Sequence, residues 1–167
     1  MSENVSQLVE GLRRVMEEQR EEFKKSLAMK NRQQEALKSG DSSQMTALTN
    51  EESALGRRLS ELEGERKSVW NRIAAATGRP ESELNWDNLS VELSTEQAQA
   101  FSALLDELGE MLQKLVSLGR VNEHLLRRGL ERTEFIVRAA GGTGPGTYGP
   151  DGEKPEKGPG TRVDRQA

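Results

Sequence analysis

Across 167 residues, apolar side chains make up 33% and aromatics 4%, while charges of both signs reach 31% and leave a net charge of −4. Such a composition belongs to long solvated helices, not to a compact α/β core, which needs more Val, Ile and Phe. Slight acidity with few aromatics argues against nucleic-acid binding, and the absence of Cys excludes disulfides and thiolate metal sites.

Three long helical segments are expected, over residues 3–38, 43–77 and 95–139. In the first, Val5, Leu8, Leu12, Val15, Met16, Phe23, Leu27 and Leu37 recur at threes and fours. The stripe thins after Leu27, where Lys30 and Gln34 fall on the expected seam. Gly40 supplies a stop, and Asp41, Ser42 and Ser43 offer caps for the next helix. In the second segment, alternate steps of four and three from Leu48 reach Glu52, Leu55, Leu59, Leu62, Arg66, Val69, Ile73 and Ala76. Seven of those nine positions are apolar, which makes a heptad seam. Gly78 and Pro80 end it, and Leu84, Trp86, Leu89 and Leu93 of the connector are placed to plug one end of a bundle.

Ser94 to Gln97, "STEQ", reads as a capping box that opens the third helix. Its seam runs through Phe101, Leu104, Leu108, Met111, Leu115 and Leu118, then loses regularity. Beyond that point Val121, Leu126, Leu130, Phe135 and Val137 occupy a neighbouring row. Gly119 and Gly129 each cost about 1 kcal/mol of helix propensity relative to Ala. Residues 119–139 therefore read as a weaker helix, apolar on more than one side, as a helix-in-groove or shared-bundle partner site would be. After Ala139 the chain carries eight of its 16 glycines and four of its five prolines. Residues 140–167 are expected to be a disordered tail. The fold class is all-α: an elongated antiparallel three-helix, coiled-coil-like bundle over residues 1–139, followed by that tail.

Little in the chain suggests catalysis. His124 is the only histidine, and alone it cannot build a His-based metal site. "EEQREEFKK" (17–25) spaces its acids three and four residues from Arg20, Lys24 and Lys25, as on a solvated helix face. "GTGPG" (142–146) lacks the strand and the Gly-Lys-Ser/Thr of a phosphate loop. "RRGLER" (127–132) is interrupted by acids and has no stacking aromatics. Neither enzyme activity, nor a cofactor, nor a metal is expected. The N-terminus lacks the apolar core of a signal peptide, and no run of about 18 apolar residues could span a bilayer. A cytoplasmic protein with no stable membrane insertion is the expectation.

Several stretches resemble one family, the FlgN-type flagellar export chaperones. "EALKSGDSSQMTALTNEESALGRRLSELEGERKSVWNRIA" (35–74) is similar to that family's helical hairpin, with a short Gly-Asp turn and Glu-rich heptads. "ATGRPESELNWDNLSVEL" is similar to its connector, "GRVNEHLLRRGLERTEFIV" (119–137) to its C-terminal helix, and "TYGPDG" (147–152) to the Thr-Tyr opening of its tails. "VDRQA" is similar to a family-style ending. The Gly/Pro-rich tail is longer than the family's, so the resemblance gives residues beyond Gly152 no role. The resemblance implies a non-catalytic chaperone that keeps hook–filament junction (hook-associated) proteins unpolymerised and hands them to the type III export apparatus. Carried onto this chain, substrate binding falls on Val121, Asn122, Leu125, Leu126, Gly129, Leu130, Thr133, Ile136 and Val137, and contact with the export apparatus on Tyr148. The expected oligomeric state is a monomer or weak dimer. The competing expectation is a structural coiled-coil scaffold that self-associates through Leu48 to Ala76.

Overall fold

The computed structural model describes residues 4–141, and every regular element among them is helical. Helix α1 spans Val5–Ser39, α2 Ser42–Thr77, α3 Trp86–Ser90 and α4 Thr95–Ala139, with a single 3₁₀ turn at Glu81–Glu83. The described chain thus has four α-helices rather than three, because the connector folds a short helix of its own. Among the described residues, those up to Arg127 form one compact unit and residues 128–141 belong to a second, and α4 supplies residues to both. Tyr148 and the rest of 142–167 lie outside the described residues.

Local chemistry explains where each helix starts and stops. Asn4 caps α1 by accepting the Ser6 amide at 3.0 Å. Gly40 takes the left-handed conformation, φ 71°, that side chains with a Cβ avoid, and its amide returns to Ala36. Asp41 then accepts the Gln44 amide at 2.9 Å, so one residue closes α1 and the next opens α2. Gly78, at φ 68°, repeats the stop at the end of α2. Asn85 and Asn88 exchange backbone-to-side-chain bonds of 3.0 Å across the first turn of α3. Ser94 and Gln97 do the same for α4: the Gln97 amide donates to Ser94 Oγ at 3.2 Å, and the Ser94 amide donates back to Gln97 Oε1 at 3.4 Å.

Within the first unit, side-chain pairs set the helix directions. Arg58 meets Glu18, Arg32 meets Glu51 and Lys30 meets Glu52, so α2 runs against α1. Gln97 bonds Ser6, Arg20 bonds Glu107 and Asn122 bonds Lys30, so α4 runs along α1. Two hydrophobic clusters result. The larger joins Leu8, Leu12 and Met16 of α1, Ile73 and Ala74 of α2, Leu84 and Leu89 of the connector, and Phe101, Leu104 and Leu108 of α4. Trp86 stacks on Phe101 with ring centroids 4.6 Å apart and planes 10° from parallel. The smaller cluster, nearer the Gly40 turn, holds Met29, Ala36 and Leu48 with Met45 and Leu55 against it, all from α1 and α2.

The α1 seam departs from its expected course. Instead of passing through Leu27 and Leu37, with Lys30 and Gln34 as polar intrusions, it continues through Gln19, Ser26, Met29, Gln33 and Ala36, all buried. These positions keep the four-three rhythm that starts at Leu8, Leu12 and Val15. Polar side chains hold it because they are bonded: Gln19 donates to Glu63 at 3.5 Å and Gln33 to Glu52 at 2.9 Å. The Arg66 guanidinium, bonding at 2.7 and 2.8 Å, holds the Glu63 carboxyl below its ordinary pKa. At the end of α2, Ala74 is buried beside Ile73 while Ala76 is exposed.

Ile73 and Leu62 are fully enclosed, so truncation leaves a cavity. Ile73→Ala should cost about 2–5 kcal/mol of unfolding free energy in a denaturant titration. Ala76→Ser on the same helix should cost less than about 0.5 kcal/mol.

Candidate functional site

The α4 seam continues past Leu118 by one more heptad, and Asn122 is where it is pinned. Asn122 is only 6% exposed. Its Nδ2 donates to the Lys30 carbonyl at 2.9 Å and reaches Gln33 Oε1 at 3.5 Å. Gln33 in turn donates to Glu52, which also pairs with the Lys30 ammonium. One polar layer therefore ties α1, α2 and α4 together. Burial pushes the Glu52 carboxyl up, but the bonds from Lys30 and Gln33 outweigh burial and hold its pKa below the ordinary value. Asn122 Oδ1 accepts no hydrogen bond among the described residues.

After Asn122 the character of α4 changes. In the first unit Leu125 is half-buried, whereas Val121 and Leu126 are exposed. In the second unit Leu130, Ile136 and Phe135 are exposed, Phe135 to 71%, and Val137 is half-buried. Gly129 and Thr133 are exposed, and the Thr133 hydroxyl donates back to the Gly129 carbonyl at 3.0 Å. That bond satisfies the hydroxyl locally. Of the nine residues expected at the partner surface, eight thus lie at least partly on the outside of their own unit. Asn122 instead faces inward and is occupied by α1. Tyr148, the expected export-apparatus contact, falls outside the described residues.

Phe135 belongs with this set, although the expected site omitted it. Its signal was present in the sequence as a large aromatic on the row beside the seam. Leu112 and Val116 are also exposed, each one position past a seam leucine or methionine. His124 is exposed on the helix surface. Among the described residues no group of three or more His, Cys, Asp or Glu is placed to hold a metal ion. No described helix is long and apolar enough to cross a membrane.

Seven large apolar side chains standing in water on α4 (Val121, Leu126, Leu130, Phe135, Ile136 and, further up, Leu112 and Val116) are more than scattered exposure requires. The class defined is an all-α protein of long helices that, among the described residues, leaves apolar helix surface unpaired. A family model described as FlgN protein matches residues 1–156. The chain belongs to the FlgN family, a family of flagellar export chaperones. Neither a curated protein nor a solved structure matches it.

The polar layer has a pH signature. The folded pKa of Glu52 lies below its unfolded value, so its stabilisation is present above the unfolded carboxyl pKa, about 4.3. It is lost as pH falls through the folded value. Glu52→Gln should therefore lower stability near neutrality and flatten the loss of stability on acidification below pH ~4.5, read from urea unfolding at a series of pH values.

Proposed function

We propose that this chain is a cytoplasmic chaperone of the type III flagellar export system, and that it covers the amphipathic terminal helix of hook–filament junction proteins until they are delivered to the export apparatus. In this reading the three long helices act as a coiled-coil-like bundle, and the chemistry is association only. The observation that carries it is the exposure of Leu126, Leu130, Phe135 and Ile136 on α4 in a chain of the FlgN family. A helix from a partner laid on such residues removes apolar surface from water on both sides, at roughly 25 cal/mol per Å² before the costs of association. That same burial would keep an assembly-prone helix from meeting its own kind.

Within this proposal the substrate-facing side chains are Val121, Leu125, Leu126, Leu130, Phe135, Ile136 and Val137. Gly129 and Thr133 leave room beside them, and Asn122 acts from inside by holding α4 on α1. Tyr148 is proposed as the contact with the export apparatus. A single tyrosine buries about 150–250 Å², enough for a reversible anchor and too little for a permanent one. The scaffold alternative loses its surface, because Leu48, Leu62 and Ile73 are enclosed within the chain itself.

Binding of a synthetic C-terminal helix of a junction protein, followed by isothermal calorimetry, tests the proposal. Leu130→Asp and Ile136→Asp should each weaken binding about tenfold or more, with little change in melting temperature because both side chains are already exposed. Unaltered affinity in the double variant would remove these residues from the site. Tyr148→Ala should bind the helix normally and yet lower secretion of the junction protein in a motility strain.

A further inference from the structure

Two cations of α4, both in the second unit, have no counter-charge among the described residues. Arg138 meets Glu134 at 3.6 Å, whereas neither Arg128 nor Arg132 has an ion pair or a side-chain hydrogen bond among those residues. Both are exposed, and four residues of helix set them about 6 Å apart along the axis. At about 3.6 residues per turn, Phe135 falls on one side of the pair and Ile136 on the other, all four within about a third of the helix circumference. Phe135 is exposed to 71% and Ile136 to 55%. Glu131 and Glu134 fall outside that arc, and beyond Ile136 the apolar surface continues round to Val137 and Leu130. Charge and apolar contact are therefore offered together along one edge of the surface. Covering Phe135 and Ile136 with an uncharged helix would take water from two guanidiniums and give them nothing in return.

We infer that this edge selects an acidic amphipathic helix, one whose apolar stripe is flanked by two carboxylates a turn apart, each meeting one of Arg128 and Arg132. The inference rests on the reading of this part of α4 as the substrate surface, and it adds the charge by which substrates are sorted. Apolar contact alone accepts any helix with an apolar stripe; two unpaired arginines beside it penalise a neutral flank and repel a basic one. A guanidinium presents a planar fork of donors that suits a carboxylate. When Phe135 and Ile136 are covered, less water remains around the pairs, which strengthens them over an open surface pair. An anionic lipid surface calls for a cluster of about four or more basic side chains, more than these two arginines supply.

Calorimetry of the full chain tests this, with the terminal helix of a junction protein made in three forms that carry Glu, Gln or Lys at two positions flanking its apolar stripe. At low salt the Glu form should bind about tenfold more tightly than the Gln form, and the Lys form more weakly than either. The gap should close at about 1 M salt, where charges are screened within ~3 Å. A variant with both Arg128→Gln and Arg132→Gln should erase the gap by weakening the Glu form alone. Arg128→Glu with Arg132→Glu should turn the preference toward the Lys form. Both arginines are exposed, so neither variant should melt appreciably lower than the parent. Equal affinity of the parent chain for the Glu and Gln forms overturns the inference and leaves the substrate surface standing. Failure of all three forms to bind overturns both. Vesicles containing phosphatidylserine should not retain the chain on flotation; retention that the double Gln variant abolishes would assign the arginines to lipid and overturn the inference.

Discussion

The layer of Lys30, Gln33, Glu52 and Asn122 decides where α4 stays with the hairpin. Buried polar groups are costly unless bonded to one another, so these side chains have little freedom to meet anything else. Gln33 sits two heptads beyond Gln19 on α1, and Glu52 two heptads before Arg66 on α2. Each polar layer therefore finds its partner only at one alignment of the hairpin. A slide of one heptad would strand Gln33 against Leu59 and leave Glu52 without its amide. Apolar seams tolerate such slides; bonded polar layers do not.

The same layer sits within the smaller of two kinds of core. At the connector end, α1, α2, α4, Leu84 and the α3 residue Leu89 form a single cluster. Toward the Gly40 turn, the buried cluster is drawn from α1 and α2 alone. The seam residues of α4 follow that gradient: Phe101, Leu104 and Leu108 are buried, and Met111, Leu115, Leu118 and Leu125 only partly so. Helix α4 thus gives its first turns to stability and keeps the apolar side chains of its later turns largely unspent.

Much of the fold was legible because its signals are local. Gly40, Asp41, Gly78, Ser94 and Gln97 set helix ends through bonds spanning three to five residues, and those bonds follow from residue type. The seams of α2 and of α4 up to Leu118 were readable as Leu, Val and Ile at heptad spacing. The α1 seam beyond Met16 was not. Gln19, Ser26 and Gln33 resemble surface residues until Glu63 and Glu52 are brought beside them, and that pairing is tertiary. The short helix α3 was hidden for a related reason: a capping box of two asparagines in a five-residue helix has no periodicity to reveal it.

The candidate site divides along the same line. Val121, Leu126 and Leu130 could be singled out because apolar residues off a seam find no partner in a regular bundle, and among the described residues the structure leaves them in water. Asn122 could not be sorted by its sequence position, since an asparagine on a seam is equally suited to meeting a partner or to anchoring the helix. The Lys30 carbonyl, 92 positions away in sequence, decides the matter by accepting its amide. The consequence for association is direct. In the proposed association, a partner helix laid on Val121, Leu125 and Leu126 would meet residues of the first unit whose supporting end is already fixed by Asn122, so less of the ordering cost would fall on binding. Weakening the anchor should then weaken association without touching a single residue of the interface, which separates holding α4 in place from contacting the partner.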